Sequence, residues 1–263
     1  MVARTATGSM TGVLQYDKET SKSDIKNGKS QTGGKGGSKL KIMSRNNLHF
    51  LRKIFHVAAG AIFAGLYEFV LSREQALRGF GVLFVLLAIG EYARVRFVEH
   101  WLSKLTFRVM SLLARNYEAT RLSGMVFFVA GVLACITLFP RNVAILSILY
   151  LSFGDPFAST CGIRYGYLGP KFSNGKSLVG SLGGLFACAF TTTVYYLYHG
   201  FPFNGSLLLV SLLGGIAGAI PETFCGRIHE GTGGPIDLDD NIAVPVGSGF
   251  IFFLFLQLFP AYL

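Results

Sequence analysis

The chain has 263 residues, of which 51% are apolar and only 14% are charged, and its mean hydropathy is +0.48. A water-soluble domain carries about 25% charged residues, so this composition excludes one and predicts that lipid is the solvent. The net charge of +10 is concentrated in residues 1–53, which hold 11 Lys or Arg against three acids. The rest of the chain is nearly balanced, so the basic character belongs to its N-terminal part.

Residues 1–47 are rich in Ser, Gly, Lys and Thr and nearly free of aromatic side chains. We predict a disordered, basic, cytosolic tail, because so little apolar surface cannot offset the cost of ordering the chain. A basic segment beside a first membrane helix is typical of a topology signal or of contact with anionic lipid. We therefore expect no nucleic-acid partner.

Seven apolar stretches follow the tail, and each approaches the roughly 20 residues that a helix needs to cross a bilayer. They predict an all-α, polytopic membrane domain over residues 48–263. The predicted spans are about 54–71, 77–97, 122–139, 143–163, 178–199, 207–226 and 242–262. If the tail is cytosolic, 21 of the 24 Lys and Arg lie on the cytosolic side. This bias agrees with the positive-inside rule and predicts a cytosolic N-terminus.

Asp155, in the fourth span, is predicted to be the deepest acid of the bundle. It precedes Ile163 by eight residues, which is about 12 Å of helix. Gly154 and Pro156 flank it, and because proline disfavours a helical conformation in the preceding residue, we expect the helix to be interrupted here. An interrupted helix is tolerated at this depth only beside protein or a watery cavity. The pattern predicts a cytosol-facing cavity with the Asp155 carboxylate at its floor.

Further polar residues lie near the predicted cytosolic ends of the spans. Ordinary structural roles are open to several of them: positive-inside flanks for Arg52 and Lys53, a hydrogen bond between helices for His56, and an ion pair within one helix for Glu91 and Arg94. Glu222 ends span six, and Asp237, Asp239, Asp240 and Asn241 precede span seven. Three acids within four residues repel one another, so this cluster predicts a bound cation.

The loop before span five ends in Gly175, Lys176 and Ser177 and resembles a P-loop only superficially. Five residues rather than four separate Gly169 from Gly175, and a membrane helix rather than a strand precedes the loop. Backbone amides at the start of a helix can still bind an anion. Lys176, Ser177 and Ser181 are therefore candidates to face a phosphate, assisted by amides of residues 175–181.

Taken together, these motifs resemble the CTP-dependent lipid kinases, the superfamily of dolichol kinase, phytol kinase and CTP-dependent diacylglycerol kinase. The similar segments are, in order, Arg52-Lys53-x-x-His56-x-x-x-Gly60, Gly154-Asp155-x-x-Ala158-Ser159-x-x-Gly162-x-x-x-Gly166, Lys176-Ser177-x-x-Gly180-Ser181, Glu222 and Asp239-Asp240-Asn241-x-x-x-Pro245. The ordered set covers about residues 48–250. Within the superfamily, residues 165–181 look closest to the diacylglycerol kinase branch. Two features depart from the pattern of that branch: Gly154 stands where the branch often has Ser, and the stretch after Glu222 is long and Gly-rich. Both departures bear on the identity of the acceptor lipid.

The resemblance implies transfer of the γ-phosphoryl group of CTP to a lipid hydroxyl, with diacylglycerol as the acceptor and phytol or a polyprenol as alternatives. It implies catalytic roles for Arg52, Lys53, Asp155 and Lys176. The candidates for nucleotide binding are Arg52, Lys53, His56, Gly162, Gly166, Lys176, Ser177, Gly180, Ser181 and Asn241. The candidate ligands of Mg²⁺ or Ca²⁺ are Asp155, Glu222, Asp239 and Asp240, and Asp155 is equally a candidate general base.

Two other classes of function stay open at this point. A cytidylyltransferase similar to CDP-diacylglycerol synthase would use the same nucleotide and membrane setting but release pyrophosphate. A cation-coupled transporter would use Asp155 and Glu222 as a relay. We predict residence in the endoplasmic reticulum or nuclear envelope rather than in a plastid membrane.

Overall fold

The computed structural model describes residues 45–96, 123–224 and 239–263, and it is helical throughout these segments apart from turns and one short loop. The helices are α1 (Arg45–Phe69), α2 (Arg73–Arg96), α3 (Gly124–Leu138), α4 (Arg141–Leu149), α5 (Asp155–Tyr165), α6 (Leu178–Tyr198), α7 (Gly205–Phe224) and α8 (Asp240–Leu256). A π-helical segment, Tyr150–Gly154, joins α4 to α5. Short 3₁₀ turns cover Gly166–Leu168 and Pro260–Tyr262.

Every predicted apolar stretch coincides with helix, which confirms the all-α fold class for the described residues. Within the described segments, four helical stretches are long and apolar enough to cross a membrane: Arg73–Ala93, Arg141–Leu168, Leu178–Tyr198 and Gly205–Phe224. Gly124–Leu138 and Asp240–Leu256 are apolar but shorter. The count of seven spans stays a prediction. The predicted tail lies almost wholly outside the described residues, as do residues 97–122 and 225–238.

The interruption expected at Asp155 is wrong, because the helical path continues through it. Pro156 lies in the first turn of α5, where a missing N–H costs little. The π-helical segment just before α5 widens the turn that the proline ring would otherwise crowd. The result is one stretch of 28 residues, Arg141–Leu168. The distortion that the sequence indicated is therefore present as a local widening and not as a break.

Helix α4 and the π-helical segment lie at the centre of the bundle. Val143, Ala144, Ile145, Leu146 and Ile148 are all at most 2% exposed. Helices α1, α3, α6, α7 and α8 pack around this central segment. A helix that is apolar on all sides is typical of such a position, since every face finds an apolar neighbour.

Short connections make consecutive helices antiparallel and give the bundle two ends. At the far end, Arg141 donates to the carbonyl of Leu71 at 2.8 Å, and His199 lies 3.0 Å from Glu68. The opposite end, called the site end below, holds the starts of α1, α6 and α8 and the ends of α5 and α7. This alternation brings together residues that lie far apart in the sequence.

Candidate active site

The site end is organised by a contact between Lys176, in the loop before α6, and Glu222, near the end of α7. The Lys176 ammonium donates to both the carboxylate and the backbone carbonyl of Glu222. The side chains are 31% and 11% exposed, respectively, so the pair is mostly shielded from solvent. The last carbonyls of a helix have no partner within the helix, and a cation there also complements the helix dipole. Lys176 thus caps α7 and fixes Glu222 at once.

Asn174 holds the same loop against α7. Its side-chain amide donates to the carbonyl of Thr223 at 2.6 Å, and its side-chain oxygen accepts from the Lys176 backbone N–H at 3.1 Å. The loop turns tightly here, with the Gly175 N–H donating to the Phe172 carbonyl at 2.9 Å and Gly175 at φ +82°. Glycine suits this left-handed conformation because it has no Cβ. Two side chains of one hairpin therefore satisfy two consecutive carbonyls at the end of α7.

Two more predicted acids act on the same centre. The charges of Asp155, at the start of α5, and Asp240, at the start of α8, both interact with the Glu222 carboxylate. The charges at the starts of α5 and α8 thus act on the end of α7, where the loop before α6 is bound. Lys176 and Glu222 therefore lie in a region whose charged groups can interact with a phosphate-bearing ligand.

The predicted cations of α1 approach the same end, as far as their side chains are described. The Lys53 ammonium donates to the Thr160 hydroxyl at 3.2 Å. Thr160 follows Asp155 by five residues, or about 8 Å of helix. The ring of His56 packs edge-on against Phe128, with centroids 5.1 Å apart. The side chain of Arg52 lies outside the described residues.

The hydroxyls predicted to face a phosphate take part in internal contacts. Ser177 caps α6 by accepting from the Gly180 N–H at 3.1 Å, and the Ser181 hydroxyl accepts from Thr223 at 2.7 Å. The loop amides are also occupied, because Leu178 donates to the Pro170 carbonyl at 3.0 Å. The amides of Gly175, Lys176, Leu178 and Gly180 all have partners within the chain. In this structure these four amides are engaged within the chain, and binding of an anion by residues 175–181 stays a prediction.

The glycines predicted to contact nucleotide lie where α5 crosses α6. A Cβ at Gly180 would lie 2.9 Å from the Ala158 carbonyl, and one at Gly166 would lie 2.9 Å from the Ser177 hydroxyl. A Cβ at Gly162 would come within 3.2 Å of that same hydroxyl. Small residues spaced by four let membrane helices approach closely. Helix packing accounts for these glycines without a ligand.

The start of α8 is joined to α3. Asp239 caps α8 by accepting from the Asn241 N–H at 3.0 Å, and the Asn241 side chain donates to the Gly124 carbonyl at 3.1 Å. Glu91 supports the same region from α2: it is 3% exposed and accepts from the Ser123 N–H at 3.1 Å. The side chain of Arg94 lies outside the described residues. Asn241 therefore joins the start of α8 to α3, and Glu91 joins α2 to the start of α3.

Among the residues that the structure describes, the predicted carboxylates are not arranged as a preassembled metal centre. No group of three or more His, Cys, Asp or Glu side chains within the described segments is arranged to hold an ion. One Asp239 oxygen caps α8, Glu222 is engaged by Lys176, and Asp240 is exposed at the start of α8. Magnesium usually takes only one or two protein carboxylates together with substrate phosphates and water. The described carboxylates would therefore hold an ion together with the phosphates of a nucleotide.

Comparison with known proteins identifies the family. The chain is 32% identical over 174 residues to CTP-dependent diacylglycerol kinase 1 of Schizosaccharomyces pombe, covering 61% of this chain and 72% of that protein. The chain belongs to the CTP-dependent lipid kinase superfamily. The protein of the same name from Saccharomyces cerevisiae is 28% identical, and the match covers 75% of this chain and 70% of that protein. A probable chloroplastic phytol kinase of Triticum aestivum is 27% identical, and the match covers 77% of this chain and 66% of that protein. No family model and no solved structure matches the chain.

Three residues at this end of the kinase were missed by sequence reasoning: Thr160, Asn174 and Thr223. Each contacts a residue that the motifs contain, namely Lys53, Lys176 and Ser181, respectively. Asn174 had a detectable signal, since an Asn before Gly in a loop is typical of a tight turn. Thr160 and Thr223 carry no signal of their own, because a Thr inside an apolar helix most often bonds to its own helix.

Proposed function

We propose that this protein is a CTP-dependent diacylglycerol kinase that transfers the γ-phosphoryl group of CTP to diacylglycerol and releases phosphatidate and CDP. The observation that carries the proposal is the contact between Lys176 and Glu222, with Asp155 and Asp240 within electrostatic reach. The names of the two yeast relatives support CTP as the donor and diacylglycerol as the acceptor.

In the proposed reaction the lipid hydroxyl oxygen bonds to the γ-phosphorus while the bond from that phosphorus to the β–γ bridging oxygen breaks. Phosphoryl transfer requires positioning and positive charge around the phosphoryl oxygens more than covalent chemistry. Arg52, Lys53 and Lys176 supply that charge. Asp155 accepts the proton that the hydroxyl loses. The transfer therefore leaves phosphatidate, CDP and a protonated Asp155.

A divalent cation, Mg²⁺ or Ca²⁺, neutralises part of the triphosphate charge when it is bound with the nucleotide. Asp240, with the second oxygen of Asp239, would hold it. Glu222 takes a different role from the metal ligand that its position in the motifs suggested. Because it is engaged by Lys176, we assign to it the positioning of that cation.

The wheat relative favours one alternative acceptor. It is named as a probable phytol kinase, and it matches a larger share of this chain than the S. pombe relative does. Phytol and diacylglycerol share a hydroxyl on an apolar body, so the transfer chemistry is the same for both. The choice of acceptor is therefore the part of the proposal that a substrate panel has to decide.

We further propose seven membrane spans, a cytosolic N-terminus and residence in the endoplasmic reticulum or nuclear envelope. The placement of helices at all seven apolar stretches supports the count. The excess of Lys and Arg in the connections at the site end supports the orientation.

The orientation is tested by the accessibility of single introduced cysteines to a membrane-impermeant reagent in sealed microsomes. Labelling at residue 171 but not at residue 203 is expected, and the reverse pattern would contradict the orientation.

The donor and acceptor are tested with purified full-length protein in mixed micelles. CTP labelled in the γ-phosphate is offered with diacylglycerol, phytol or a polyprenol, and ATP is compared as the donor. We expect label in phosphatidate with CTP as the preferred donor. Label retained in pyrophosphate, with cytidine nucleotide in the lipid, would instead identify a cytidylyltransferase. Cation flux through sealed vesicles without nucleotide would identify a transporter.

Asp155→Asn tests the proposed base with nearly unchanged side-chain volume. We expect kcat to fall about 10²- to 10⁴-fold, the usual contribution of a positioned acid or base. Glu74→Gln is the matched control, because Glu74 is 79% exposed on α2 at the far end and should retain full turnover. Wild-type turnover by a correctly inserted Asp155→Asn protein would remove Asp155 from the reaction.

Lys176→Met tests the proposed phosphate contact. We expect kcat/KM for CTP to fall about 10- to 100-fold, which corresponds to the loss of one charge-assisted hydrogen bond. Lys171→Met changes an exposed lysine of the same loop and should leave kcat/KM within twofold, roughly the noise of a surface substitution. Equal losses in the two variants would indicate a general effect of loop charge and would contradict a specific role for Lys176.

A further inference from the structure

One hydrogen bond joins the first part of α1 to α5 at the site end. The Lys53 ammonium donates to the Thr160 hydroxyl at 3.2 Å, across 107 positions of the chain. Lys53 is half-buried and Thr160 is exposed. An exposed hydroxyl contributes little to the stability of the bundle. The main effect of this contact is therefore to fix where the Lys53 ammonium lies.

The Thr160 hydroxyl is itself held in one orientation. It donates to the carbonyl of Pro156, one helical turn earlier, at 2.6 Å. A threonine hydroxyl has one proton and two lone pairs, so this bond uses its proton and leaves the oxygen as an acceptor. The β-branched side chain has few rotamers in a helix, and the bond to Pro156 selects one of them. Thr160 thus presents a preoriented acceptor to the lysine.

The nature of the acceptor suits a lysine that has to bind phosphate. Lys176 donates to the Glu222 carboxylate, which neutralises part of its charge. The Thr160 hydroxyl adds no negative charge beside Lys53. A lysine side chain has many rotamers, and a contact that selects one before the ligand arrives lowers the entropic cost of binding. Thr160 can therefore orient Lys53 without weakening its attraction for an anion.

The helical positions on α5 place this contact beside the face that carries Asp155. Successive residues of a helix are about 100° apart, so Ser159 lies on nearly the same face as Asp155, one turn later. Thr160 lies about 100° round the helix from Ser159, and Gly162 lies about 60° round in the other direction. Gly162 meets the start of α6, where its Cβ would lie 3.2 Å from the Ser177 hydroxyl. Lys53 and the start of α6 therefore approach α5 on the two sides of the Asp155 face.

We propose that Thr160 is a positioning residue that holds Lys53 on one side of the Asp155 face, so that Lys53 and Lys176 bind the triphosphate from opposite sides. Lys176 directly precedes Ser177, on the α6 side. Two cations so placed neutralise charge on different phosphoryl oxygens, which phosphoryl transfer requires. Thr160 acts through Lys53 and touches neither nucleotide nor lipid. The role rests on the proposed kinase activity and adds how that site recognises its donor.

Thr160→Val tests this role in full-length protein in mixed micelles, with γ-labelled CTP and diacylglycerol. Valine keeps the β-branched shape and removes the hydroxyl. We expect kcat/KM for CTP to fall about tenfold, the scale of one hydrogen bond to a charged group. The KM for diacylglycerol should not change, because this acceptor carries no phosphate. Unchanged kcat/KM for CTP, or an equal change in both parameters, would overturn the proposal.

Combination with Lys53→Met shows whether Thr160 acts through the lysine. In the Lys53→Met background, Thr160→Val should cause no further loss, because the group that it positions is already absent. Thr160→Ser keeps the hydroxyl and should keep kcat/KM within about twofold of wild type. A full additional tenfold loss in the double variant would show that the hydroxyl acts independently of Lys53 and would overturn the proposal.

Thr137→Val is the matched control. Thr137 is exposed near the end of α3, at the far end of the bundle, and its hydroxyl donates to the carbonyl of Leu133, four residues earlier, at 2.7 Å. The substitution makes the same chemical change in the same kind of helical contact and should keep kcat/KM within about twofold. Equal losses at Thr137 and Thr160 would reflect a general effect of removing such a hydroxyl and would contradict a specific role.

The outcomes separate this role from the proposed function. A wild-type protein that transfers no label from CTP to lipid would overturn the kinase proposal and the role of Thr160 together. An active wild type with an equally active Thr160→Val would overturn the role of Thr160 alone. Thr160→Ala also removes the hydroxyl and should show the same tenfold loss, so a Thr160→Val protein that fails to fold still leaves the proposal open to refutation.

Discussion

The contact between Lys176 and Glu222 predicts a measurable energetic coupling between α7 and the loop before α6. Glu222→Gln removes the carboxylate and keeps the size of the side chain, and Lys176→Met removes the ammonium and keeps most of the apolar stem. Each single substitution leaves the other charge in a mostly buried position without its partner. The double variant leaves neither charge, so its loss of stability should be smaller than the sum of the two single losses.

The exposed fractions set the expected magnitude. Breaking a fully buried ion pair costs about 3–5 kcal/mol, and an exposed pair contributes about 0–1 kcal/mol. Glu222 is 11% exposed and Lys176 is 31% exposed, so the pair lies nearer the buried limit but keeps some solvent screening. We expect each single variant to lose about 2 kcal/mol of unfolding free energy, with a coupling of about 1–2 kcal/mol.

The assay is equilibrium unfolding of full-length protein in mixed micelles by added SDS, followed by far-UV circular dichroism. The control is the parallel cycle with Lys171→Met, whose lysine is exposed in the same loop and should show no coupling to Glu222. Additive single losses, within about 0.5 kcal/mol, would refute the reasoning, because residues that do not interact behave in that way.

Three further substitutions probe the loop and the helix packing. Asn174→Ala should lower kcat/KM for CTP about tenfold, since it removes two hydrogen bonds that hold the loop against α7, and hydrogen exchange of Lys176 should rise with it. Gly175→Ala should cost about 1–2 kcal/mol in the unfolding assay from its φ of +82° alone, because a Cβ there would meet nothing within 4 Å. Gly215→Ala should cost about 1–3 kcal/mol, since its Cβ would lie 2.7 Å from the Leu185 carbonyl. Gly79→Ala is the common control, and an equal loss there would contradict both glycine predictions.

Much of the fold follows from local patterns in the sequence. The apolar stretches predicted the helices because each stretch meets the length that a bilayer imposes, and that property does not depend on neighbours. The proline at 156 correctly indicated a distortion beside Asp155, but its form was predicted wrongly. A π-helical segment and a broken helix both relieve the proline, and only packing around Tyr150–Gly154 selects between them.

The candidate site is less visible in the sequence than its charged residues suggest. The motif containing Lys176 and Ser177 indicated an anion cradle, whereas the loop amides are bonded within the chain and Lys176 caps α7. The spacing of Gly162 and Gly166 by four residues was compatible with both nucleotide binding and helix packing. The structure supplies the packing partners in α6, which a linear sequence does not contain.

The amino-acid sequence alone determined that this chain is helical and that it belongs in lipid, since both depend on composition and on spacing within one segment. Tertiary structure decided which charges meet. Glu222 and Lys176 are 46 positions apart and become partners only because α7 ends where α6 begins. The contact between Lys53 and Thr160 likewise joins helices that are distant in the chain, so no single stretch of sequence could indicate it.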